Sequence, residues 1–136
     1  MSQLGDHFMS REWVCKRLRV SLRQSYSLIK SGYGPCVSCK AVLALVNRSR
    51  CNIATPFTSV PSDILTAEEL AATPELAGSG LTSRMLLVFT RRENPNNRPP
   101  FLRVNKQTTR FVKSLFLAWL EERARDAERT GRRRFV

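Results

Sequence analysis

The stretch REWVCKRLRVSLRQSYSLIKSG, residues 11–32, sets two short apolar-periodic segments on either side of Arg19-Val20-Ser21, a junction with neither Gly nor Pro. Ser10 is an N-cap residue type, and Glu12 falls in the first turn, where the helix dipole favours a carboxylate. Val14 and Leu18, four apart, face one way while Lys16, Arg17 and Arg19 take other faces, which predicts an amphipathic helix of about two and a half turns. Ser21 is a fresh cap, so residues 22–31 are expected as a second helix. At 100° per residue Leu22, Ser25, Leu28 and Ile29 share its packed side, and Arg23, Ser27 and Lys30 gather opposite. Gly32 closes it as a C′ glycine, and Pro35 prevents it from resuming.

Further along, Ser38 caps a third helix through about Val46, whose run AVLALV suits a buried helix because Ala is a poor strand former. Residues 51–63, CNIATPFTSVPSD, hold two prolines and no helical period and read as a linker or an extended strap. Thr66 and Glu69 satisfy the S/T-x-x-E capping box of a helix from Ala67 to Leu76 or Ala77, unless Pro74 stops it earlier. Gly78 and Gly80 break the chain, Thr82 caps, and Ser83 to Arg92 is expected as another helix with Arg84, Val88 and Arg91 outward. FLRVNKQTTRFV alternates on both sides of Asn105-Lys106-Gln107-Thr108, the pattern of a β-hairpin. Ser114 is expected to cap a last helix that ends near Gly131, before the tail RRRFV.

Helix, tight turn, helix, excursion, helix thus occurs twice, as a repeat of pattern rather than of sequence. The expected fold class is mainly α with small β-hairpin wings, divided into a first module at 9–50, a linker or strap at 51–63, a second module at 64–130 and a basic tail at 131–136. The 136 residues allow one domain or two small ones, and 42% apolar residues with seven Phe and two Trp supply a core.

The formal charge is +12 and is unevenly placed. Residues 1–50 carry nine Lys/Arg against two acids, residues 51–90 one against four, and residues 91–136 thirteen against five. Two basic zones around an acidic middle suit a polyanion, most commonly nucleic acid. No apolar run reaches transmembrane length and the start lacks a signal-peptide core, so a cytoplasmic protein with four reduced cysteines is expected.

Two helices joined by a short turn, the second with a polar outer face, describe a helix-turn-helix, whose second helix enters the DNA major groove. The residues MSREWVCKRLRVSLRQSYSLIKSG and PPFLRVNKQTTRFVKSLFLAWLEER resemble, respectively, the opening and the wing with following helix of excisionase-like and MerR-like winged helix-turn-helix domains. Met9, Ser10, Glu12, Val14, Leu18, Val20, Ser21, Tyr26, Leu28, Ile29 and Gly32 carry the first likeness; Pro100, Arg110, Phe111, Ser114, Trp119 and Leu120 carry the second. The likeness covers about residues 9–49 and 65–125. Arg19 departs from the Gly common at that turn, the loop between Leu76 and Leu81 is longer than the family's, and YGPCV is too short for a full first wing. The resemblance implies tandem winged modules that bind double-stranded DNA as an excisionase or small regulator of a mobile element. Expected partners besides the duplex are an integrase or further protomers along it.

On that basis Arg23 is a candidate for a bidentate pair with guanine and Gln24 for one with adenine, with Ser27 and Lys30 reaching phosphates. Arg84 and Arg91 are the analogues in the second module, and Val88 is placed to touch a thymine methyl. Arg103, Lys106 and Arg110 alternate along the hairpin as wing contacts, and Arg132, Arg133 and Arg134 suit a sequence-independent phosphate clamp. Cys36-x-x-Cys39 invites a zinc site, but only Cys15, Cys51 and His7 remain to complete four ligands, and no metal or other cofactor is expected. No catalytic constellation is recognisable, since the lone His7 lies at the start and no Gly-rich phosphate loop occurs. The rival classes are a protein-interaction module on the same scaffold, inhibiting a host protein, and a replication-origin binder. Apolar Leu115, Phe116, Leu117, Trp119 and Leu120 on the last helix serve either an interface or a core uniting both halves.

Overall fold

Ser10 opens the first helix as the sequence predicts, accepting a hydrogen bond from the Trp13 amide, and Ser21, Ser38, Thr66 and Thr82 each cap a helix in the same way. The computed structural model describes residues 7–130, and the statements below concern those residues. In chain order the elements are β1 (Phe8–Ser10), α1 (Arg11–Leu18), α2 (Leu22–Leu28), β2 (Cys36–Ser38), α3 (Cys39–Arg48), β3 (Arg50–Cys51), β4 (Ile64–Leu65), α4 (Ala67–Ala71), α5 (Ser83–Phe89), β5 (Phe101–Asn105), β6 (Thr108–Val112) and α6 (Lys113–Thr130). The architecture is mixed α/β, with six helices and two small antiparallel sheets.

Several boundaries differ from expectation. The α2 helix stops at Leu28, because Ile29 turns extended to bury its side chain in the core. Gly32, at φ +140°, is therefore not a helix-ending C′ residue. It sits where a Cβ would lie 2.5 Å from the Cys36 carbonyl oxygen, so the close approach of two backbone segments demands glycine there. Pro74 does stop α4 early and starts a separate 3-10 turn, and α5 ends at Phe89, leaving Arg91 in the following turn. At α6, Ser114 is not the cap. Asp63, far away in sequence, accepts from the Ser114 amide through its carboxylate at 2.8 Å and from the Lys113 amide through its carbonyl at 2.9 Å.

The β1 strand pairs with β2, Met9 opposite Val37, and so closes the first half. The larger sheet runs in the order β3-β5-β6-β4, all antiparallel. Its period-two alternation divides the molecule. Ile64, Leu102 and Val112 enter one core with Val14, Leu18, Val42 and Val46 of the first half. Phe101, Phe111 and Leu65 enter another with Leu70, Leu86 and Phe116 of the second half, where Phe111 meets Phe116 edge-on at 5.8 Å. One sheet is thus a common floor for both halves. Each large apolar side chain buried on it contributes about 1.5–3 kcal/mol.

The 51–63 segment is a packed strap. The Asn47 amide group clamps Phe57, donating to its carbonyl at 3.1 Å and accepting from its amide at 2.7 Å, and Val60 is buried in the first core. Arg17 donates to the Val60 carbonyl from α1.

Candidate nucleic-acid interface

The turn between α1 and α2 bends without glycine because Arg19 itself takes the left-handed conformation, φ +58°. An L-residue pays about 1–2 kcal/mol for this, and here its side chain is anchored: Nε donates to the Ile64 carbonyl at 3.2 Å and pairs with Glu69 at 3.4 Å. The Arg110 guanidinium reaches across from β6 and donates to the Leu18 and Arg19 carbonyls. These oxygens at the end of α1 lack partners within the helix. Burial pulls the Arg110 pKa below its ordinary value, an effect that Glu69 and Glu68 oppose. Arg110, expected at a wing, is therefore held as a brace between the halves.

Gln24 is similarly engaged. Its Oε1 accepts from the Ser21 amide to complete a capping box, and its Nε2 donates to Thr108 Oγ at 3.3 Å, which docks the start of α2 beside the β5–β6 hairpin. Arg23 and Ser27 are exposed on α2 as expected. Leu22, assigned to the packed side, is 55% exposed, because the short helix packs through Ser25, Leu28 and Ile29 instead. Tyr26 is 49% exposed and stacked against Arg11, whose centre lies 4.2 Å from the ring. Arg11 is buried and donates to the Ser25 carbonyl at 2.6 Å, so this cation serves the fold. Lys30 lies past the helix end, beside Ser31 and Arg48, away from the hairpin.

On the other flank of the hairpin a cleft of about 530 Å³ opens between β5–β6, α4 and the end of α5. Arg91, Arg103, Lys106 and Arg110 line it, with Thr66, Gln107 and Thr109 as neutral polar groups and Glu68 as its sole acid. Arg103 lies over the Phe101 ring at 5.4 Å, and its Nε is buried with no hydrogen-bond partner among the described residues. The hairpin turn is Lys106-Gln107, shaped by the Asn105 side chain accepting from the Gln107 amide at 2.9 Å. Arg84 and Val88 stand exposed on α5, Val88 at 46%.

The structure thus brings four of the expected site residues into one cleft, sets Arg23 and Ser27 across the hairpin, and leaves Lys30 apart. Glu68, Leu22 and Tyr26 lay outside the sequence-based set; for Glu68 the signal was available, in the acidic first turn of a capped helix. The Arg132-Arg133-Arg134 clamp lies outside the described residues. Cys36 is exposed and Cys39 buried, and among the described residues no three potential metal ligands converge. No described helix is long and apolar enough to cross a membrane. No protein-family profile, curated protein or solved structure matches the chain.

Proposed function

We propose that the chain binds double-stranded DNA through two winged helix-turn-helix units, α1–α2 and α4–α5, with β5–β6 as the wing between their second helices. The observation that carries this is the cleft where Arg91, Arg103, Lys106 and Arg110 face a single acid. Cations gathered on a concave surface attract a polyanion and release its counterions on binding. In this reading Arg23 and Ser27 on α2 and Arg84 and Val88 on α5 meet base edges in the major groove, while Lys106 and its neighbours hold the backbone. Excision or transcription control on a mobile element is the role that the resemblance favours, with an integrase or further protomers as partners.

Binding to duplex DNA is expected to weaken steeply between about 50 and 200 mM salt, measured by fluorescence anisotropy. No binding even at low salt would overturn the proposal. Arg23→Ala is expected to flatten preference among sequences, and Lys106→Ala to weaken all of them alike and lower the salt slope by about one. A second reading, a protein-binding face, draws on exposed Leu22, Tyr26 and Val88. It predicts an association that salt barely changes.

A further inference from the structure

The cations of the cleft are not equivalent, and the difference identifies where an anion sits. Arg110 has its guanidinium committed to the Leu18 and Arg19 carbonyls and to its neighbour Thr109. Arg103 is uncommitted: its guanidinium lies 5.4 Å from the Phe101 ring, and its buried Nε has no acceptor among the described residues. Arg91 and Lys106 line the cleft as exposed cations, and Glu68 is exposed on its α4 side.

We infer that this cleft is a phosphate-binding site centred on Arg103, with Arg91 and Lys106 completing the charge and Glu68 tempering its affinity. Phosphate oxygens accept from the terminal Nη–H groups of Arg103, since its buried Nε is closed to a ligand in the cleft, and the planar guanidinium holds those donors in one plane. Glu68 repels the same anion, so occupancy depends on a multivalent or tethered phosphate rather than on a simple monoanion. The inference rests on the DNA-binding reading for its natural ligand, a backbone phosphodiester. A free phosphate compound has the same chemistry and is the other source.

The test follows arginine Nε–H resonances of the intact protein by NMR during titration with pyrophosphate, against sodium chloride of equal ionic strength. The Arg103 signal, assigned by its loss in Arg103→Lys, is expected to shift with pyrophosphate and not with chloride. Lys106→Ala is expected to weaken the titration about tenfold, the loss of one charge-assisted hydrogen bond. Glu68→Gln is expected to strengthen it about 2- to 5-fold. Both positions are exposed, so these variants keep the test decisive even if Arg103 substitutions unfold the chain. An Arg103 signal that does not move, or a titration indifferent to Lys106 and Glu68, overturns the site. Displacement of pyrophosphate by duplex DNA upholds the site with the backbone as its source. Pyrophosphate binding in a protein that binds no duplex upholds the site, assigns it to a free phosphate and removes the DNA reading. Duplex binding with a motionless Arg103 removes this site and leaves the DNA reading standing.

Discussion

Two arginines meet at the turn between α1 and α2, one bent into the left-handed region and the other capping its carbonyls. Replacing Arg110 with Gln shortens the side chain and strands the Leu18 and Arg19 oxygens it serves, so a loss of about 1–3 kcal/mol is expected in urea denaturation. A loss indistinguishable from zero would mean that water serves those oxygens equally well. The sequence sets Lys106 in the hairpin turn and Arg110 on a strand, but only the register that points Arg110 at the first half shows it to be a brace. Gln24 teaches the same lesson, since its capping role was legible three residues after Ser21 but competed with a base-contact role for the same amide.

Among the elements, helix starts were readable because a cap and its first turn are adjacent in sequence, and the β5–β6 hairpin because FLRV and TRFV flank Asn105-Lys106-Gln107-Thr108, a turn that the structure narrows to Lys106-Gln107. The strands β1, β3 and β4 were not readable, since two or three residues hold no period. The α6 cap was assigned to Ser114 because the actual partner, Asp63, is brought there by β4 pairing with β6. Asp63→Ala is accordingly expected to cost about 1 kcal/mol in thermal or urea unfolding. Ser114→Ala should stay within about 0.5 kcal/mol; the reverse order would restore the local cap. Alongside it, Lys113 on α6 holds Glu75 at 3.0 Å, and this hydrogen bond, followed by one from the backbone, lowers the Glu75 pKa below its ordinary value. A depressed carboxylate stabilises the fold fully above its unfolded pKa and loses that contribution as pH falls through the folded value. The stability gap between wild type and Glu75→Gln is therefore expected to be widest near neutral pH and to close on acidification, measured by urea midpoints across pH. A gap independent of pH would contradict the pairing.

For the whole molecule, the pattern repeat hid how the halves are joined. Two sequence modules with a proline-bearing segment between them suggest a linker or strap, yet the alternation of β5 and β6 feeds one core with Leu102 and Val112 and the other with Phe101 and Phe111. Neither core is complete without the hairpin. Unfolding is expected to be a single transition, with Trp13 packed against the first core and Trp119 against the second as separate reporters. Fluorescence of Trp13→Phe and Trp119→Phe variants should follow far-UV circular dichroism of the same variant with coincident midpoints. Two resolved midpoints would show independent halves. The floor that unites the cores also has unusual borders: β3 and β4, its outer strands, are two residues long. Such brief edges give an incoming chain almost no ladder to extend, so the sheet resists growth by strand addition and the aggregation that follows from it.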